Sequence, residues 1–172
     1  NDPPTFTSNA TFSAAENQTA IGTVTASDPE GDTLSFTVSG SDITIVSSSG
    51  LLEFASAPDF ETQTSYSVTV TVSDGTNTVT QDITVNVTNV NDVAPEFTSN
   101  ATFSAAENQT AIGTVIATDA EGDDVTFTVS GSELQITSAG VLTFATAPDY
   151  ETKTSYTATI TATDGVNLTT QD

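Results

Sequence analysis

The chain has 172 residues, with 23 acidic side chains against a single basic one, Lys153, and a formal net charge of −22. It has no His and no Cys, which excludes imidazole acid–base catalysis, Ser-His-Asp and thiol nucleophiles, zinc and haem ligation and disulfides. One Lys cannot neutralise phosphates, so nucleic-acid binding is excluded as well, and the same field repels an anionic membrane surface.

No apolar run approaches the roughly 20 residues needed to span a bilayer, and no basic segment followed by an apolar one opens this piece of chain; membrane insertion is not expected. Absence of Cys fits an extracellular or cell-surface protein. What composition leaves open is a hard-cation site, because calcium takes six to eight oxygen ligands and Asp, Glu, Asn and backbone carbonyls supply them.

Self-comparison sets the organisation. Phe6 to Val24 returns unchanged as Phe97 to Val115, an offset of 91, and Pro58-Asp59-Phe60-Glu61-Thr62 returns as Pro148-Asp149-Tyr150-Glu151-Thr152 after one residue is lost between Val46 and Gly50. Two copies of one domain are expected, 1–90 and 91–172, the second lacking most of its last strand and suggesting a piece of a longer array.

Within copy one the elements follow in order. A first strand ends at Glu16, and Asp28-Pro29-Glu30-Gly31-Asp32 makes a turn. Leu34, Phe36 and Val38 then alternate with polar residues, Ser39-Gly40-Ser41 and Ser47 to Gly50 turn the chain, and Tyr66, Val68, Val70 and Val72 alternate again. Asp74-Gly75 turns it once more before Ile83, Val85 and Val87. A period of two means strands with one buried and one wet face. About seven strands in roughly 90 residues predict an all-β chain of two tandem seven-stranded immunoglobulin-like Greek-key sandwiches. Outward Thr keeps these faces soluble without charge.

Acidic residues gather at strand ends. If the two copies meet end to end across residues 88–95, seven carboxylates converge: Glu16, Asp59, Glu61, Asp92, Asp119, Glu121 and Asp164. One pair about 4 Å apart costs roughly 4 kcal/mol at an effective dielectric near 20, so divalent cations are expected among them. About three calcium ions would bring +6 against −7, and a dense all-oxygen set favours calcium over magnesium.

Five motifs in order carry a family resemblance over both copies: Ala15-Glu16-Asn17, Asp28-Pro29-Glu30, Pro58-Asp59-Phe60-Glu61, Val72-Ser73-Asp74-Gly75 and Asn89 to Phe97. The sequence resembles tandem cadherin-type repeats of the bacterial cadherin-like kind found in surface adhesins and secreted proteins. The resemblance implies that Glu16 and Glu61 bridge two calcium ions with Asp59 on the outermost, and that Asp92 bridges the outer pair. It implies side-chain ligation of the third ion by Asn91 and Asp164, ligation by Asp119 and Glu121, and backbone carbonyls at Val90 and Val93. Asn89 stands where the family has Asp, Glu121 is a methylene longer than the family's Asp, and the loop after it is short; Asp123 fits a ligand and a solvated turn equally. Asn1, Asp2, Asp28, Glu30 and Asp74 resemble the third ion's site at the N-terminal end, and Glu107, Asp149 and Glu151 form the matching half at the other. The resemblance implies a non-enzymatic, calcium-stiffened spacer or adhesion module whose partners are neighbouring repeats. The alternative is a recognition module for carbohydrate or for a copy of itself.

Overall fold

Strict alternation puts every second side chain on one face of an extended chain, and both copies fold accordingly. The computed structural model describes residues 1–172 and consists of strands and turns, with no helix. The chain divides into two units, Asn1–Val90 and Asn91–Asp172.

Unit 1 contains β1 (Thr5–Phe6), β2 (Thr11–Ala15), β3 (Ala20–Thr23), β4 (Ala26–Ser27), β5 (Ser35–Val38), β6 (Ile43–Ile45), β7 (Leu51–Phe54), β8 (Ser65–Ser73) and β9 (Thr78–Thr88). The seven predicted strands become nine segments because the first is split into β1 and β2 and the second into β3 and β4. Each fragment then pairs differently: β1 lies antiparallel to β4, β3 antiparallel to β7, and β2 parallel to β9. The larger sheets run β2-β9-β8-β5 and β3-β7-β6.

The β8–β9 ladder runs from Ser65↔Asn86 to Ser73↔Thr78. Its inward residues Val68, Val70, Val72, Ile83, Val85 and Val87 are buried, as are Ile43, Leu52 and Phe54 of the other sheet. Each fully buried aliphatic side chain stabilises the sandwich by about 1.5–3 kcal/mol. A tight crossing closes the core edge. Gly50, at φ 72°, lets the chain approach until Val24 N–H reaches Gly50 O at 2.9 Å. A Cβ there would lie 2.1 Å from Val24 O, and Gly140 repeats the arrangement against Val115 O.

Unit 2 contains β10 (Glu96–Phe97), β11 (Ala111–Thr114), β12 (Ala117–Thr118), β13 (Thr126–Val129), β14 (Leu134–Ile136), β15 (Val141–Phe144), β16 (Ile160–Thr163) and β17 (Leu168–Gln171). Its sheets are β10-β12, β11-β15-β14 and β13-β16-β17. β17 supplies 4 residues where β9 supplies 11. The effect spreads to identical sequence: 102–106 repeats the residues of β2 yet forms no strand, because β2 owes its ladder to Thr84 to Thr88 of β9. Only Val115, Phe127, Leu142 and Ala162 are buried in the core of unit 2. Beside it Lys153, at 2.6 Å from Glu133, lies 4.4 Å over the Tyr156 ring.

The two cores should respond differently to the same truncation. Leu52 is fully buried and Leu142 is 4% exposed beneath fewer covering strands. Leu52→Ala is expected to cost about 2–5 kcal/mol, and Leu142→Ala less, because the second site is less completely enclosed. Urea unfolding followed by probes in each unit checks the difference.

Candidate metal centre

Carboxylates at strand ends are set first by their own turns. In unit 1, Asp28 follows β4, and its Oδ1 accepts the N–H groups of Glu30 at 3.0 Å and Asp32 at 3.1 Å. That turn gathers three carboxylates, so that oxygens of Asp28, Glu30 and Asp32 lie within 4.8 Å of one another. Asp28 Oδ2 is buried and has no hydrogen-bond partner. Glu30 Oε2 accepts the Asp2 N–H at 3.1 Å, and Asp32 Oδ2 accepts from the Asn1 side-chain amide at 2.6 Å.

Asp74, just past β8, closes this end. Its Oδ1 accepts N–H from Thr76 at 2.7 Å and Asn77 at 2.6 Å. The Asn77 N–H is the main reason its carboxyl sits below the usual range. The Asn77 side-chain amide donates to Asn1 Oδ1 at 2.5 Å and to Asp74 Oδ2 at 3.1 Å.

Unit 2 reproduces this constellation. Asp119 Oδ1 accepts N–H from Glu121 at 2.9 Å and Asp123 at 3.3 Å, and Asp119 Oδ2 is again buried without a partner. Oxygens of Asp119, Glu121 and Asp123 lie within 4.8 Å of one another, a spacing at which two carboxylates repel by up to about 3–4 kcal/mol at an effective dielectric of 20. The start of the unit docks on this cluster. Glu121 accepts the Asp92 N–H at 3.1 Å and the Val93 N–H at 2.9 Å, and Asp123 Oδ2 accepts from the Asn91 side chain at 2.8 Å. Asn167 donates to Asn91 Oδ1 at 2.5 Å and to Val93 O at 3.4 Å. Burial pushes the Asp164 carboxyl up, but N–H bonds from Val166 and Asn167 outweigh it and hold it below the usual range.

The opposite end of unit 1 is built around Glu16, only 3% exposed despite its charge. Its Oε2 accepts the Phe60 N–H at 2.8 Å and its Oε1 the Val90 N–H at 2.7 Å. Burying a carboxylate is tolerable only with such partners. Asp59 Oδ2 accepts the Thr62 hydroxyl at 2.8 Å and its Oδ1 the Glu61 N–H at 3.1 Å; the Thr62 bond is the largest cause of its lowered pKa. Asn89 and Val90 are exposed beyond β9. In unit 2 the equivalents Glu107, Asp149 and Glu151 bring oxygens within 4.8 Å of one another. Glu107 is exposed and takes only the Tyr150 N–H, at 3.1 Å, while Asp149 accepts the Thr152 hydroxyl, which lowers its pKa.

Each sequence-identified acid therefore lies outside the strands, in a turn or connecting segment, and in one of four local groups. Sequence reasoning missed Asn77 and Asn167, which tie the start of each unit to its Asp-Gly turn. The signal was present in Asp74-Gly75-Thr76-Asn77 and Asp164-Gly165-Val166-Asn167. Donors here are all hard oxygens, two of them buried without partners, a set that fits calcium and offers nothing to a soft metal.

Comparison with known proteins places these two units. A family model described as Bacterial Ig domain matches residues 1–88, just over half of the chain. The chain belongs to the bacterial Ig domain family. It is 35% identical over 132 residues to the Homo sapiens "Cadherin EGF LAG seven-pass G-type receptor 2", covering 71% of this chain and 4% of the receptor. The chain thus spans a small fraction of the curated relatives it matches. Human Protocadherin-24 EC1-2 superposes with TM-score 0.81 at 24% identity, covering 98% of this chain and 91% of that one. The Protocadherin Gamma B2 extracellular cadherin domains 3-6 give TM-score 0.71 at 21% identity, covering 98% and 51%. This bacterial Ig chain is thus built of tandem cadherin-type repeats, with the fold of cadherin adhesion domains.

The Asp59 turn makes a test of its own hydrogen bonding. Thr62→Val removes the hydroxyl and is expected to raise the Asp59 pKa toward 3.8, the value without local partners; Thr152→Val should do the same at Asp149. Because the folded values are lowered, these bonds contribute stability above the unfolded pKa and lose it as pH falls through the folded one. Carboxyl chemical-shift titration of each variant reads the change.

Proposed function

We propose that this chain is a calcium-stiffened extender or adhesion module of a large surface or secreted protein, of the bacterial adhesin kind, acting outside the cell and without catalysis. The observation that carries the reading is the pair of buried, partnerless oxygens, Asp28 Oδ2 and Asp119 Oδ2, each amid two further carboxylates. An orphaned buried carboxylate oxygen is costly, and a divalent cation removes both the orphaning and the repulsion.

In this reading Asp119, Glu121, Asp123, Asp164, Asn91 and the Val93 carbonyl hold one ion on unit 2, and Asn1, Asp2, Asp28, Glu30 and Asp74 hold its equivalent on unit 1. Glu16, Asp59, Glu61, the Asn89 and Val90 backbone and Asp92 hold the remaining ions of a complete junction, about three in all. Glu107, Asp149 and Glu151 are the corresponding acids of a further junction. Val90 is hydrogen-bonded within unit 1 and Asn91 within unit 2, so successive residues of the chain belong to different ligand sets. Calcium held by both sets would convert a flexible tether into a stiff one. The protein's neighbours in this role are adjoining repeats.

Calcium that binds only the folded chain stabilises it by about 2.7 kcal/mol at a hundred times its dissociation constant. The chain is expected to melt at higher temperature with calcium than with chelator, and Asp119→Asn should weaken calcium binding at least tenfold in calorimetry. Small-angle scattering tests the mechanical part: flexibility should fall on adding calcium, Asp92→Ala should abolish that response, and Asp82→Ala, at an exposed position of β9 outside every acidic group, should keep it. An unchanged flexibility in the unsubstituted chain would remove the extender mechanism even if calcium bound.

A further inference from the structure

The two copies differ in length at one turn. Five residues, 46–50, join β6 to β7, whereas four, 137–140, join β14 to β15. In unit 1 this turn reaches the other sheet: the Phe36 N–H, on the side of β5 that faces away from β8, donates to Ser47 O at 2.9 Å. In unit 2 the shorter turn closes on itself, with the Gly140 N–H on Thr137 O at 2.9 Å, and no carbonyl takes the N–H of Phe127.

β5 and β13 each end a sheet, on the side away from β9 and β17. One bond fixes which way the groups of β13 point. Ser130 N–H donates to Thr159 O at 2.9 Å, so alternation turns the N–H and C=O of Thr128 toward β16 and those of Phe127 and Val129 outward. These two residues thus hold two free donors and two free acceptors on an open edge. Beside them lies a depression of about 490 Å³ with Phe127, Val129, Leu134, Ile136 and Val141 in its walls and no charged residue in its lining. An uncharged, uncovered edge is a template for another backbone.

We propose that the outer edge of β13 is a contact between two copies of this chain, paired as antiparallel strands about a twofold axis through Thr128. In that register Phe127 of one copy faces Val129 of the other, and each pair exchanges both hydrogen bonds, four in all. Thr128 faces its own counterpart, and Thr126 faces Ser130. The edge is its own complement, and 126–130 contains no acid, so two chains of −22 each meet there without a carboxylate in the ladder. A basic partner would be drawn to the acidic turns instead. The contact is smaller than the roughly 1,000 Å² of a stable interface, which makes it transient. Asp123, Asp124 and Glu133 flank it, so screening by salt should favour it. Unit 1 lacks the same freedom, because Ser47 already occupies the Phe36 N–H.

The test follows the full 172-residue chain by sedimentation equilibrium with chelator present, so that calcium bridging plays no part. Dimers are expected, strengthening at least about tenfold from low to high NaCl, with slower hydrogen exchange at the Phe127 and Val129 amides as they form. Thr128 is exposed, and Thr128→Asp sets two carboxylates face to face and should abolish dimers. A labelled Thr128→Asp chain should still pair with Thr128→Lys, which a misfolded variant would not do. Inserting one Ser between Ser138 and Ala139 restores the turn length of unit 1 and should weaken dimers at least about tenfold. A chain that stays monomeric at high salt, dimers that persist in Thr128→Asp or ignore the insertion, or a Thr128→Asp chain that Thr128→Lys fails to rescue would overturn the proposal.

Discussion

Scarcity of internal cations governs this molecule. With one Lys among 23 acids, carboxylates must be met by N–H and hydroxyl groups. Asp28, Asp59, Asp74, Asp119, Asp149 and Asp164 solve this alike, each accepting through Oδ1 the N–H two residues on. The bond that shapes each turn therefore also fixes where its charge points. Turn formation and charge clustering are one event: a chain that folds its turns has already assembled its acidic groups.

Strand formation depends on the partner rather than on the local sequence. Residues 11–15 and 102–106 are the same five amino acids, and only the first set is a strand, because a lone extended segment gains little until another backbone satisfies it. The consequence reaches the core. Ala14 is buried under the parallel ladder, whereas Ala105 is exposed. Glu16 and Glu107 differ in the same way: identical flanking sequence leaves one carboxylate enclosed by two N–H donors and the other open to water.

This explains what could be read in advance. The long runs Tyr66 to Val72 and Ile83 to Val87 announced their faces by alternation, and the repeat announced the doubling. Asp-x-Glu and Asp-Gly announced turns because Asp caps its own backbone. The splitting of the first two strands was not legible, since each break is set by which sheet the fragment joins. Nor was the role of Asn77 and Asn167, whose side chains reach residues 76 positions away. Local pattern encodes faces and turns; it does not encode which distant backbone arrives beside them.

The ion pair of Lys153 with Glu133, stacked on Tyr156, bears on survival among proteases. The chain has no other Lys or Arg, so a trypsin-like enzyme finds one scissile bond in 172 residues. To use it the enzyme must draw the ammonium away from two Glu133 oxygens and off an aromatic face. Unit 1 presents no such bond at all. A surface of Thr, Ser and carboxylates thus leaves a whole class of digestive enzymes with almost nothing to cut.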